Sequence, residues 1–283
     1  MNTIQLFPSK PGQTHKVRAI VLGINEIASA VAVYLTHLRI RVVMSNDPLP
    51  PVIRRGMSFH DSLYGELTSI NGIWAINRDH TLEILDELSC GNRVIVTRLG
   101  LSHLLPIGGF DLIVDARMHK TEVMPILRHL APVTIGLGPG FVAQETCDVA
   151  IETHPDFIGQ ILTNGAAMSA DGIPSLLGDL KHERFIYTTI PGRWTTPLEI
   201  GSRVFLGVVL GKLGGQDIIA HRDGILRGIA RDGTEMPANV KLVEIDPRGR
   251  NAQWQGIDPR AKAIAESTVQ AYMQAVQAIT HQS

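Results

Sequence analysis

The chain has 283 residues, 44% apolar and 19% charged, enough for roughly two domains with a buried core. Its 26 Lys and Arg against 27 Asp and Glu give a formal net charge of -1, which excludes a bulk polyanion binder and with it nucleic acid as an expected partner. Gly (27) and Pro (16) mark many tight turns without the composition of a disordered, low-complexity chain.

Residues 1–15 read as a polar, Pro-containing lead-in without the basic-then-apolar order of a signal peptide. Val17–Leu22 is an apolar, strand-like run. Ile27, Ala30, Val31, Tyr34, Leu35 and Leu38 then recur at helical spacing, and Ile40–Met44 is a second strand-like run. Strand, helix and strand within about 30 residues form a βαβ unit. Ser58 with Asp61 suggests a capping box for a short helix over Ser58–Tyr64, and Thr81–Leu88 predicts another helix. Val94–Thr97, Leu112–Val114 and Val133–Ile135 are short runs that are apolar throughout, as strands covered on both faces must be. Residues 16–145 are therefore expected to form a Rossmann-like, doubly wound parallel α/β domain.

Beyond Phe141 the pattern changes. Val149–Thr153, Phe157–Leu162 and Arg184–Ile190 read as strands between turns, and 196–246 is a series of short strands broken by Gly turns. Residues 146–258 are expected to be a β-rich domain with a small all-β, barrel-sandwich-like part at 196–246. Residues 259–283 follow as an amphipathic C-terminal helix with Pro259 in its first turn. The longest apolar run, Val204–Leu210, fits a strand and is far short of a membrane span. Cys90 and Cys147 lie far apart with no metal-ligand spacing, so reduced thiols in the cytoplasm are expected.

Five places could carry chemistry. After the first strand, Gly23-Ile24-Asn25-Glu26-Ile27-Ala28 has the outline of a dinucleotide turn, with Asn25 where the second glycine would let a pyrophosphate reach the backbone. Asp47, ending the second strand, could hold a ribose hydroxyl. Arg54 and Arg55 precede a predicted helix start and can grip a phosphate or carboxylate, or form a solvated surface pair. Asp115, Arg117 and Lys120 follow a buried strand at the carboxyl edge where α/β sheets bind ligands. They could serve a charged ligand or a structural ion pair. Gly136, Gly138 and Gly140 could form a nest of N–H groups for an anion, or a tight interdomain turn. Glu152 stands two residues before His154 and could orient a hydroxyl or a metal-bound water; a lone His beside a Glu is more often structural. No HExxH, GxSxG, Walker lysine loop or CxxC is present, so the sequence assigns no catalytic residue and no metal ligands.

Seven stretches together resemble one family: PPVIRRGMSFHDSLYGE, FDLIVDARMHK, VTIGLGPGFVA, VAIETH, GILRGIARDG, KLVEIDPRG and DPRAKAIAE, in this order across residues 17–270. The family is that of accessory proteins of selenium-dependent molybdenum hydroxylases, involved in molybdenum cofactor biosynthesis or maturation. The resemblance implies a Rossmann-type domain followed by a small β domain, and a xanthine dehydrogenase-like hydroxylase as partner. Two departures stand out: Asn25 replaces the family's glycine, and His154-Pro155-Asp156 stands where the family continues with Arg-Gly-His. The β domain also looks like the fold of lipoyl and biotinyl carriers, but the tip Leu213–Asp217 has no lysine and no carrier motif surrounds Lys212, so neither adduct is expected.

The leading expectation is a cytoplasmic accessory protein that binds an anionic nucleotide or molybdopterin-type ligand at the carboxyl edge of its sheet. The charge would be met by Arg54, Arg55, Arg117 and Lys120. Two alternatives are an NAD(P)-dependent oxidoreductase, against which Asn25 argues, and a non-catalytic scaffold docked on its partner enzyme. A homo-oligomer stays open.

Overall fold

The computed structural model describes residues 16–119 and 123–282; the lead-in expected over 1–15 and the candidate Lys120 lie outside them. The architecture is mixed α/β. Nineteen short strands are described: β1 (Arg18–Leu22), β2 (Arg41–Ser45), β3 (Thr68–Ile70), β4 (Ile73–Asn77), β5 (Val94–Thr97), β6 (Leu112–Asp115), β7 (Val133–Leu137), β8 (Val142–Ala143), β9 (Val149–Ile151) and β10 (Ile161–Leu162). They continue with β11 (Gly165–Ala166), β12 (Phe185–Tyr187), β13 (Gly192–Thr195), β14 (Arg203–Val204), β15 (Val209–Leu213), β16 (Gln216–Ile219), β17 (Gly224–Ile229), β18 (Glu235–Met236) and β19 (Lys241–Asp246). The helices are α1 (Glu26–His37), α2 (Thr81–Cys90), α3 (Leu101–Leu104) and α4 (Pro259–Gln282).

Nine strands form one sheet in the order β10-β9-β7-β6-β1-β2-β5-β4-β3, parallel from β9 to β4 and closed by an antiparallel strand at each edge. The unbroken apolar runs follow from cover on both faces. Ala19 and Val21 of β1 join the cluster under α1 and α4, whereas Ile20 and Leu22 join the opposite cluster with Ile84 and Leu88 of α2 and Leu104 of α3. Chain order runs outward from β1 to one side, then returns to place β6 beside β1 on the other. The carboxyl ends of β1 and β6 therefore meet at the point where the winding reverses.

The remaining strands make two four-stranded antiparallel sheets, β12-β19-β17-β14 and β16-β15-β13-β18. Their core holds the fully buried Trp194, whose indole N–H donates to Ala230 O at 3.1 Å, with Leu210, Leu226, Ile229 and Val243.

Several boundaries differ from expectation. β9 and β10 extend the large sheet, so the division at residue 145 cuts through it; β9 pairs in parallel with β7 and is buried throughout. The β domain proper begins at β12, before residue 196. The predicted helix over Ser58–Tyr64 is two short 3-10 turns, Arg55–Met57 and His60–Tyr64. Asp61 is drawn away from capping by Arg55 at 2.6 Å and by His60 at 3.0 Å. The β3–β4 hairpin had no expectation. The apolar run Val204–Leu210 is split by a turn at Gly207, where φ is +86°. The C-terminal helix lies on α1 as part of the α/β layer, burying Ile264, Tyr272 and Val276. Among the described residues no helix is long and apolar enough to cross a membrane.

Gly136 shows why this sequence tolerates no side chain there. It lies inside β7, and a Cβ would overlap the Phe141 ring. Gly136→Ala is expected to cost about 1–3 kcal/mol by overpacking, read as a lower urea midpoint at unchanged slope.

Candidate functional site

The carboxyl ends of β1, β2, β6, β7 and β9 face residues of β12, β17 and β19 and the start of α4 across a cleft of about 1100 Å³. At its floor is Glu244 of β19, with 0% exposure. Arg54 donates to both its carboxylate oxygens, at 2.7 and 3.1 Å, and Arg184 donates at 2.8 Å; the Arg227 guanidinium lies at 3.6 Å. Burial alone would raise the carboxyl's pKa; the three guanidinium groups, Arg54 first, override it and hold it at about 2.

The same cluster joins the two parts of the chain. Arg54 reaches Glu26 of α1 at 2.8 Å, and Arg227 of β17 reaches Asp258, the residue before α4, at 2.7 Å. Asp258 accepts from Ala261 N at 2.7 Å and so caps α4. The preceding residue, Ile53, packs in the β-domain core, and its carbonyl accepts from Ile229 N at 2.8 Å. The segment from Pro50 to Gly56 is thus a strap between the layers.

Arg117 and Arg248 are held alike. The Arg117 backbone N–H and Nε donate to Asp115 Oδ1 at 3.2 and 3.0 Å, and Nη2 donates to Oδ2 at 2.6 Å. Arg248 repeats the pattern on Asp246 at 3.0, 2.9 and 2.7 Å. In each, a buried aspartate ending a strand clamps the arginine two residues on, which lines the cleft. Asp47 sits at the same rim, 3.0 Å from His119 Nε2 and 3.8 Å from Arg117.

The other predicted residues behave differently. Arg55 turns away from Arg54, binds Asp61 and Ile229 O, and lines a second, polar hollow of about 830 Å³. The two adjacent arginines therefore do not grip one group together. Gly23 lines the cleft with φ +99°; a Cβ would crowd Ala116 O, so this glycine serves close packing of two loops. Asn25 caps α1: its Oδ1 accepts from Ile27 N and Ala28 N at 3.0 Å, and its Nδ2 donates to Ala116 O at 2.8 Å. The helix donors that a pyrophosphate would use are already engaged. The glycine nest is also corrected, because Gly136 belongs to the β7 ladder and Gly138 N donates to Ile151 O at 2.9 Å. Gly138 and Gly140, at φ +83° and +86°, make the tight turn that sets Pro139 in the cleft. Glu152 is buried and accepts from the backbone N–H groups of Thr153, His154 and Met168 at 2.7–2.8 Å. It fastens a loop and is not placed to orient a water. Lys212 pairs with Asp217 at 2.7 Å.

Glu244, Arg184, Arg227, Asp258 and Arg260 were not singled out from sequence. A charge flanked by apolar residues in a short strand, as Glu244 is between Val243 and Ile245, was the available signal. Among the described residues no group of three or more His, Cys, Asp or Glu is arranged to hold a metal ion.

No family model matches the chain. It is 30% identical over 275 residues to the uncharacterized protein YqeB of Escherichia coli (strain K12), covering 95% of this chain and 49% of the relative. The chain thus spans about half the length of that curated relative. Among solved structures, an aspartoacylase family protein of Mesorhizobium loti is 14% identical with a TM-score of 0.25, over 82% of this chain and 85% of that one. The ectoine utilization protein EutE (DoeB) of Ruegeria pomeroyi is 11% identical with a TM-score of 0.28, again over 82% and 85%. At such scores neither fold nor chemistry transfers.

Replacing Glu244 by Gln leaves three buried guanidinium groups short of a charge and is expected to cost about 3–5 kcal/mol, measured by urea unfolding at pH 7. The folded carboxyl at about 2 lies below the ordinary 4.5. Its contribution is therefore complete above pH 4.5 and lost as pH falls from there toward 2. The stability gap between wild type and Glu244→Gln should close over that window.

Proposed function

We propose that this protein binds an anionic small molecule, of nucleotide or pterin type, in the cleft between its two layers, and that it acts in the maturation of a molybdenum hydroxylase in the cytoplasm. One observation carries the reading: all seven stretches on which the family resemblance rests contribute to the lining of this one cleft. Arg54, Arg117, Pro139, Glu152, Arg227, Glu244 and Arg260 each come from a different stretch. Parallel topology brings four of these stretches to one rim, and the β domain with the start of α4 brings the other three, so the family-like residues surround a single hollow.

Three features support the ligand class. The reversal of winding between β1 and β6 supports the Rossmann-like reading, although β5 lies between β2 and β4, and the cleft opens at that reversal, where open α/β sheets take ligands. The size suits a small molecule. Arg117 and Arg248 are pre-oriented by their aspartates, which lowers the entropy of gripping an anion. The two small antiparallel sheets around Trp194 fit the barrel-sandwich reading, with a role in closing the cleft. The oxidoreductase alternative is weakened by Asn25, whose side chain fills the place of the pyrophosphate.

Native mass spectrometry of protein taken directly from its source cell should show a retained organic anion that leaves on denaturation. A strain carrying Arg117→Ala should yield hydroxylase activity lower by at least about tenfold, the scale of one lost charge-assisted contact. Hydroxylase activity at the wild-type level would refute the maturation role.

A further inference from the structure

Most cleft cations already have a carboxylate partner. Arg54 has Glu244 and Glu26, Arg117 has Asp115, Arg184 has Glu244, Arg227 has Asp258, and Arg248 has Asp246. Arg260, in the first turn of α4, differs. Its Nη2 donates to Thr153 O at 3.1 Å, its Nε is buried with no hydrogen-bond partner, and among the described residues no carboxylate lies within ion-pair distance. Among the described residues the carboxylates around it are already taken up: Arg54, Arg184 and Arg227 engage Glu26, Glu244 and Asp258, and Glu152, next to Thr153, is held by three backbone N–H groups. Burial lowers the Arg260 pKa, as it does for Arg184 and Arg227, so it is the missing carboxylate contact that sets Arg260 apart. A half-buried guanidinium in this state is stabilised by an anion from outside the protein.

A second set of residues in the same hollow asks for something else. Leu49, Met168, Ile173 and Leu176 are large apolar side chains, 52%, 44%, 45% and 61% exposed, and all line the cleft. Pro50, Pro51 and Pro174 add flat apolar faces beside them. At the rim, the partly exposed carboxylates of Asp47 and Asp171 already face His119 at 3.0 Å and His154 at 3.4 Å, and a carboxylate can accept further N–H groups beside such partners.

Resting on the reading of this cleft as a small-molecule site, we infer that Arg260 anchors the ligand's anionic group, and that the ligand is a planar, amine-bearing ring carrying one carboxylate or phosphate, its ring lying against the apolar lip of Leu49, Met168, Ile173 and Leu176. The three demands of the lining, an anion, an apolar face and N–H donors, belong together in an aminated purine or pteridine bearing an acidic group.

The test uses the full chain and three probes: pterin-6-carboxylate, unsubstituted pterin and guanosine 5′-monophosphate, with binding read by fluorescence or calorimetry. Wild type should bind at least one of the two acids, and which one identifies the ring source. Arg260→Ala should weaken that acid at least tenfold while changing unsubstituted pterin little, and Arg260→Lys should restore part of the loss. Leu176→Glu, on an exposed side chain that folding does not need, should weaken acid and neutral probe alike. Arg260→Ala and Arg260→Lys both binding the acid as wild type does, with Leu176→Glu impaired, would overturn the anchor and leave the cleft reading standing. No binding of either acid to wild type at millimolar concentration, or full binding by Leu176→Glu, would overturn both.

Discussion

A single buried carboxylate holds this molecule's two layers in one arrangement. Glu244 lies on an interior strand of one β-domain sheet, yet its partners come from three places: the strap after β2 (Arg54), the segment before β12 (Arg184) and the neighbouring strand β17 (Arg227). Three arginines cannot crowd together in a low-dielectric interior without a shared counter-charge, and an isolated carboxylate there is equally unfavourable. Each group is tolerable only when the others are in place. The cluster therefore couples the position of the strap to the position of the β domain. Through Glu26 and Asp258 the coupling reaches the first turn of α1 and the cap of α4.

The cleft follows from this arrangement. Parallel strands end together on one side of a sheet, so the loops after β1, β2, β6, β7 and β9 are delivered to one rim by topology alone. The β domain, fixed against that rim by the Glu244 cluster, supplies the opposite wall. Charge within the cleft is mostly balanced by internal pairs, and most of the arginines are immobilised by the carboxylates that balance them. Among the described residues Arg260 is the cleft arginine with no carboxylate within ion-pair distance, while the lip is apolar.

The sequence placed several candidate residues at the cleft rim without showing how each is engaged. Asp47, Arg54 and Arg117 were legible because each stands directly after a recognisable apolar strand or Pro-rich turn, and all three line the cleft. Arg55 looked equivalent to Arg54, but adjacent residues in an irregular segment project differently, and the two guanidinium groups serve separate hollows. Glycines in VTIGLGPGFVA looked like a nest because spacing records flexibility without recording which N–H groups the ladder has taken. Glu152 looked reactive because its three backbone partners include Met168, whose place beside it depends on a loop that returns sixteen residues later.

The sequence by itself determined the layered α/β class, the apolar strands, the amphipathic terminal helix and the strand ends whose loops line the cleft. These depend on local periodicity and on the rule that a strand apolar throughout must be covered on both faces. Tertiary structure alone decided which charges are used up. Glu244 and Arg54 are 190 residues apart, and whether an arginine is paired or left in need of an anion depends on what surrounds it after folding. That is why Arg260, unremarkable in a helical stretch of sequence, becomes distinct only when its neighbours are in place.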